Sequence, residues 1–213
     1  MYPNNGHAPI DLRPFARCEA VVDIVYNPAR TQLLLDAERL GIPAINGLPM
    51  VGAQAKRACE VFVDKTIDDA RVEEITRSIE KKTRNVILIG MPGSGKTTIG
   101  RALGELCGRE SVDIDACIVD RIGMSIPVFF AERGEAAFRA VETEVLAEVS
   151  KRSGIVISTG GGVVTRPENR DLLRQNGEVI LLERPLSQLS IAGRPVSQSR
   201  SVEVLARERT PLY

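Results

Sequence analysis

Histidine is almost absent from this chain. The single residue, His7, lies in a Pro/Asn/Gly-rich opening, which excludes mechanisms that need a histidine base or several histidine metal ligands. Cysteine is scarce too. Cys18, Cys59, Cys107 and Cys117 are scattered with no CxxC pair, a pattern of reduced structural thiols in the cytosol, not of a disulfide framework or zinc site. Net charge is missing as well: 28 Lys plus Arg balance 28 Asp plus Glu. Residues 1–83 carry 11 basic and 12 acidic groups, which leaves 17 and 16 for residues 84–213, so neither half is a nucleic-acid arm. No general attraction for nucleic acid or an anionic membrane is expected, and the partners should be small molecules. No apolar run approaches the roughly 18 residues of a membrane span. The Met1-Tyr-Pro-Asn-Asn start also lacks the basic and apolar regions of a signal peptide, so the cytoplasm is the expected location.

What is present is a chain of 213 residues, 43% hydrophobic, enough for one large domain or two small ones. The charged stretch 64–84, closing on Lys81-Lys82-Thr83-Arg84, predicts an exposed helix that complements its own dipole and places a boundary near residue 83. Before it, Ala20 to Tyr26 predicts a strand, and residues 29–40 and 49–61 predict helices: a smaller, incomplete α/β segment. After it, the apolar runs 85–90, 154–158 and 178–182 predict parallel strands buried on both faces, with a long helix over 135–152. This alternation implies an α/β fold with a doubly wound parallel sheet.

Gly90-Met-Pro-Gly-Ser-Gly-Lys96-Thr97 matches G-x-x-x-x-G-K-[ST] between a predicted buried strand and an apolar-periodic helix. Gly93, Ser94 and Gly95 would turn backbone N–H groups inward as an anion nest at a helix N-terminus, followed by Lys96, Thr97 and Thr98. Lys96 would reach the β- and γ-phosphates and Thr97 would offer a hydroxyl to Mg²⁺. A phosphate loop alone fits an NTPase motor, a switch GTPase or a metabolite kinase equally well. Downstream, Asp113 and Asp115 at an extended strand end would face one side together. Gly160, Gly161 and Gly162 would let backbone approach a ligand without side chains intervening. Arg139, on the predicted helix beginning near Gly134, would suit a carboxylate held by both arms of its fork.

Taken together, Gly90-x-x-Gly-Ser-Gly-Lys-Thr97, Asp113-x-Asp115, Gly134-Glu-x-x-Phe-Arg139, Thr159-Gly-Gly-Gly162, Arg194-Pro195 and Arg209-x-Pro-Leu-Tyr213 resemble the shikimate kinases in order and spacing. The resemblance implies a P-loop kinase-type sheet over residues 84–213 and ATP-dependent phosphorylation of the shikimate 3-hydroxyl with Mg²⁺. It implies that Asp115, Arg139, Gly160 to Gly162 and Arg209 hold shikimate, that Asp113 and Thr97 serve magnesium, and that Lys96 and lid Arg194 stabilise the transferring phosphoryl. Asp115 would orient the attacking hydroxyl. The family pattern continues past Pro-Leu-Tyr into a last strand and an adenine-contacting loop, so this kinase-like domain is expected to be truncated at its C-terminus.

Residues 1 to about 75 resemble the C-terminal end of the shikimate dehydrogenases, through Met1-Tyr-Pro-Asn-Asn-Gly6, Asp23-Ile-Val-Tyr-Asn-Pro28 with Thr31, and Asn46-Gly-Leu-Pro-Met50 with Gln54. The resemblance implies Tyr26 and Gln54 near shikimate and Met50 near a nicotinamide. Neither the catalytic Lys/Asp pair nor the glycine-rich dinucleotide loop of that family has a counterpart here, so dehydrogenase activity is not expected. The chain would then be the middle of a dehydrogenase–kinase fusion. An open sheet edge around Val21 to Val25 would be covered by the kinase or by another chain, making the segment a route to fusion or self-association. Two rival functions stand beside shikimate phosphorylation: another P-loop metabolite kinase, and a truncated remnant that binds nucleotide or partners without turnover.

Overall fold

A computed structural model of the chain describes residues 6–189 and 201–213. It divides into two compact units, Met1–Arg84 and Asn85–Tyr213.

In the first unit, strand β1 (Val21–Val22) pairs in parallel with β2 (Ala44–Ile45). The strand predicted over Ala20–Tyr26 is cut to two residues because Asp23 captures its continuation. One Asp23 carboxylate oxygen accepts the Val25 N–H at 3.0 Å and the other accepts the Thr31 hydroxyl at 2.6 Å. A side chain that hydrogen-bonds nearby backbone offers an alternative to the ladder, and here it wins. Thr31 then caps helix α1 (Gln32–Arg39) by accepting from the Leu34 N–H. Asn46 launches helix α2 (Leu48–Val63) by accepting the Leu48 N–H at 3.0 Å. Helix α3 (Asp69–Thr83) is capped by Asp68 and ends on Lys81 and Lys82, as its dipole favours. Leu12, Val21, Leu34 and Ala37 form a small core, whereas α2 and α3 bury no residue.

The second unit is a parallel sheet in the order β4-β5-β3-β6, with β3 Asn85–Ile89, β4 Ser111–Asp113, β5 Val156–Ser158 and β6 Gly177–Leu181. Helices α4 (Lys96–Cys107), α5 (Ile114–Ile122), α6 (Ile126–Val149) and α7 (Pro167–Asn176) lie between the strands in sequence, and α8 (Val202–Arg209) follows them. Ile87, Ile89, Ile114, Ile118, Leu146 and Ile157 anchor its core. Each such burial stabilises the fold by about 1.5–3 kcal/mol over exposure. The continuous apolar runs of β3 and β5 are thus explained by cover on both faces. Helix α6 starts earlier than the predicted 135 and is broken at Gly134, whose φ of 78° and ψ of 173° end one helical segment and begin another. No helix among the described residues is long and apolar enough to cross a membrane.

Candidate active site

The phosphate loop fills the turn from internal strand β3 into α4, where an open α/β sheet places its ligands. Gly93 (φ 86°) and Gly95 (φ 96°) adopt backbone that other L-residues rarely reach, and this curls the loop at the α4 N-terminus. Two contacts fix α4 on the sheet. The Ser158 hydroxyl donates to the Lys96 carbonyl at 3.0 Å, and Gly100 makes room, since a Cβ there would meet Ser158 Oγ at 2.2 Å. Lys96 is buried, 7% exposed, and its ammonium donates to the carbonyls of Gly90 and Met91, both at 2.8 Å. In this arrangement it rests on the loop's rim. Thr98 faces outward from the first turn of α4.

Asp113 and Asp115 are not two residues of one extended strand end, as alternation predicted. Asp113 ends β4 and caps α5, its Oδ1 accepting the N–H groups of Asp115 and Ala116 at 2.9 and 3.3 Å. The cap turns the chain helical, so the two carboxylates part company. The Oδ2 of Asp113 accepts the Thr97 hydroxyl at 2.6 Å, on the phosphate side. Asp115 faces the triple glycine instead: a Cβ on Gly160 would lie 2.7 Å from Asp115 Oδ1 and 3.2 Å from Glu142 Oε1.

The triple glycine is closely approached on three sides, most rigidly at Gly161. A Cβ on Gly161 would meet Pro92 of the phosphate loop at 2.6 Å, and one on Gly162 would meet the Arg139 guanidinium at 2.3 Å. Thr159 pins the loop's start through its N–H and hydroxyl, both donating to Leu88 O. Arg139, its side chain 11% exposed, donates to Glu142 at 2.7 Å and to Glu135 at 3.4 Å. Arg209 is buried at the end of α8. Burial presses its pKa down, and the like charge of Arg139 adds to that. The structure therefore gathers Asp115, Gly160 to Gly162, Arg139 and Arg209 around one place beside the Thr97–Asp113 pair. Arg194 lies outside the described residues.

Glu142 escaped sequence reasoning. It is fully buried, its Oε2 pairs with Arg139, and its Oε1 has no hydrogen-bond partner. Burial pushes its pKa up, opposed first by Arg139 and then by Arg209 and Arg166. The signal was available: an acidic residue three after Arg139, set in the apolar stripe Phe138, Val145, Leu146 and Val149. Tyr213 was seen only as part of a motif, yet its hydroxyl donates to the Gly161 carbonyl at 2.6 Å.

A nest of backbone N–H groups, a loop lysine and a Thr–Asp pair at the carboxyl ends of parallel strands define a P-loop α/β kinase fold. The shikimate kinase family model matches residues 92–213. A shikimate kinase of Nitrosomonas europaea is 45% identical over 138 residues, covering 61% of this chain and 65% of that protein. One of Halorhodospira halophila is 47% identical over 137 residues, covering 60% and 77%. The solved shikimate kinase from Acinetobacter baumannii in complex with shikimate superposes with a TM-score of 0.60 at 38% identity, over 64% of this chain and 81% of that one. The chain belongs to the shikimate kinase family, and it spans less than two thirds of the Nitrosomonas relative's length.

Proposed function

We propose that this chain transfers the γ-phosphoryl of ATP to the 3-hydroxyl of shikimate, a step toward chorismate and the aromatic amino acids, and that it does so in the cytoplasm. The observation that carries this is the grouping of the buried Arg209, the largely buried side chain of Arg139, Asp115 and the triple glycine beside the phosphate loop. Two guanidiniums suit one acceptor carboxylate, and the planar fork matches it by geometry as well as by charge. Glu142 balances part of that charge when the site is empty of acceptor and keeps Arg139 in one rotamer. Asp115 orients the acceptor hydroxyl and takes up its proton as the bond forms. The N–H groups of the loop hold the β-phosphate, while Lys96 leaves the carbonyls of Gly90 and Met91 for the more strongly charged phosphate oxygens. Arg194 adds a second cation to the transferring group.

The Thr97 hydroxyl and Asp113 carboxylate fit Mg²⁺, because both are hard oxygen donors already held 2.6 Å apart. Such an ion takes one or two protein groups and completes its shell with phosphate and water oxygens. When bound it neutralises phosphate charge. The test is ADP release with and without shikimate. Shikimate-stimulated turnover supports the assignment. Binding of both ligands without turnover favours the non-catalytic remnant instead.

For residues 1–83 we propose descent from the end of a shikimate dehydrogenase, on the motif residues quoted above, of which Asp23 and Thr31 share a hydrogen bond. The segment serves as a fusion or association module. NADPH oxidation by 3-dehydroshikimate should be undetectable, since no glycine-rich turn cradles a pyrophosphate there.

A further inference from the structure

Three segments meet at one phenol. The Tyr213 hydroxyl donates to the Gly161 carbonyl at 2.6 Å and lies 3.9 Å from the Met91 sulfur in the phosphate loop, the Tyr213 backbone N–H donates to the Arg209 carbonyl at 3.2 Å, and the Arg209 charge opposes the effect of burial on the phenol. Its ring packs on the edge of the main core, so the hydroxyl is carried on a fixed arm. Beneath it, Gly161 leaves no space against Pro92. The acceptor loop and the phosphate loop therefore touch where this hydroxyl closes the contact.

We infer that Tyr213 is a positioning residue for the acceptor: it holds Arg209 and the Gly161–Gly162 peptide in their binding geometry and passes occupancy of the phosphate loop to the acceptor site. This rests on the assignment of that site to shikimate. Two consequences of peptide and guanidinium geometry support it. In a trans peptide the C=O and N–H point in opposite directions within one plane, so fixing the Gly161 carbonyl also fixes the Gly162 N–H. An arginine already confined by burial, as Arg209 is, has fewer rotamers to lose when a carboxylate arrives. The hydroxyl keeps its proton throughout ordinary assay conditions, because burial pushes Tyr213 up to about 12.

The experiment compares wild type with Tyr213→Phe, which removes only the oxygen. Shikimate KM should rise up to about tenfold, the scale of losing one well-placed hydrogen bond, with kcat within threefold and ATP KM unchanged. The ratio of shikimate Kd without and with a non-hydrolysable ATP analogue should fall toward one. Combined with Arg209→Lys, the loss should be smaller than the product of the single losses. Unchanged shikimate affinity, independent effects in the double variant, or loss of the fold by circular dichroism would each overturn the assignment. Absence of shikimate-dependent turnover in wild type would instead overturn the functional reading beneath it.

Discussion

The two units of this chain use the same materials differently. Residues 85–213 bury Ile87, Leu88, Ile157 and Leu146 almost completely in a four-stranded sheet, whereas α2 and α3 of the first unit bury nothing and Phe62 is 86% exposed. Both units contain parallel strands, yet a two-stranded parallel pair with Val22 at 72% exposure lacks the cover that parallel sheets ordinarily have. Polar chemistry follows the same division. In the second unit, buried polar groups such as Lys96, Glu142 and Arg209 stand around one site, while the ion pairs of α3 are exposed and worth little. Burial of charge costs stability, and it is tolerated where it positions groups for a ligand.

The contrast can be sharpened or broken by substitution. Lys96→Met should lower kcat by about a hundred- to a thousandfold, with thermal midpoint little changed, because a cation aimed at developing charge is removed. Next, Ile157→Ala should cost about 2–5 kcal/mol in denaturant unfolding of the second unit, since a fully buried side chain leaves a cavity. Arg139→Lys keeps the charge but loses the fork. Shikimate affinity should fall about tenfold to a hundredfold by calorimetry while ATP affinity stays near wild type. Equal weakening of both ligands would move Arg139 to the nucleotide side.

Glu142→Gln tests the buried charge by its pH dependence. Burial raises the pKa of Glu142 in the fold, so its contribution is fully present below the ordinary carboxylate range and is lost as pH rises through the folded value. Wild type should therefore gain stability relative to Glu142→Gln as pH falls from neutral toward that range. A stability difference flat with pH would contradict this. The smallest effect belongs to Phe62→Ser, which should shift stability by no more than about 0.5 kcal/mol. A large loss there would show that the first unit depends on a surface its own fold leaves open.

The continuous apolar runs made the sheet of the second unit legible, and the phosphate loop and triple glycine stood where their neighbouring strands predicted. The Asp113–Asp115 pair was misjudged because alternation assumes the strand continues, and a single cap residue ends that assumption. Ala20–Tyr26 failed for the same kind of reason: composition favoured a strand, but Asp23 is placed to hydrogen-bond Val25 and Thr31. Glu142 was hidden by convention. An acidic residue is normally assigned to the solvent side of a helix, and only its place in the apolar stripe of α6 argued otherwise.

Asn85 offers a different kind of consequence. Its fully buried side chain donates to the Arg152 carbonyl at 2.7 Å and accepts the Ile155 N–H at 3.1 Å, clamping the first residue of β3 to the turn before β5. The phosphate loop begins at the opposite end of the same short strand. Tension arriving along the backbone from residue 84 would thus be taken up by this clamp and by the β3 ladders loaded in shear. In a pulling experiment, the chain anchored at residue 84 should yield first at the sheet's amino edge, with the nucleotide-binding turn still shaped when the clamp gives way.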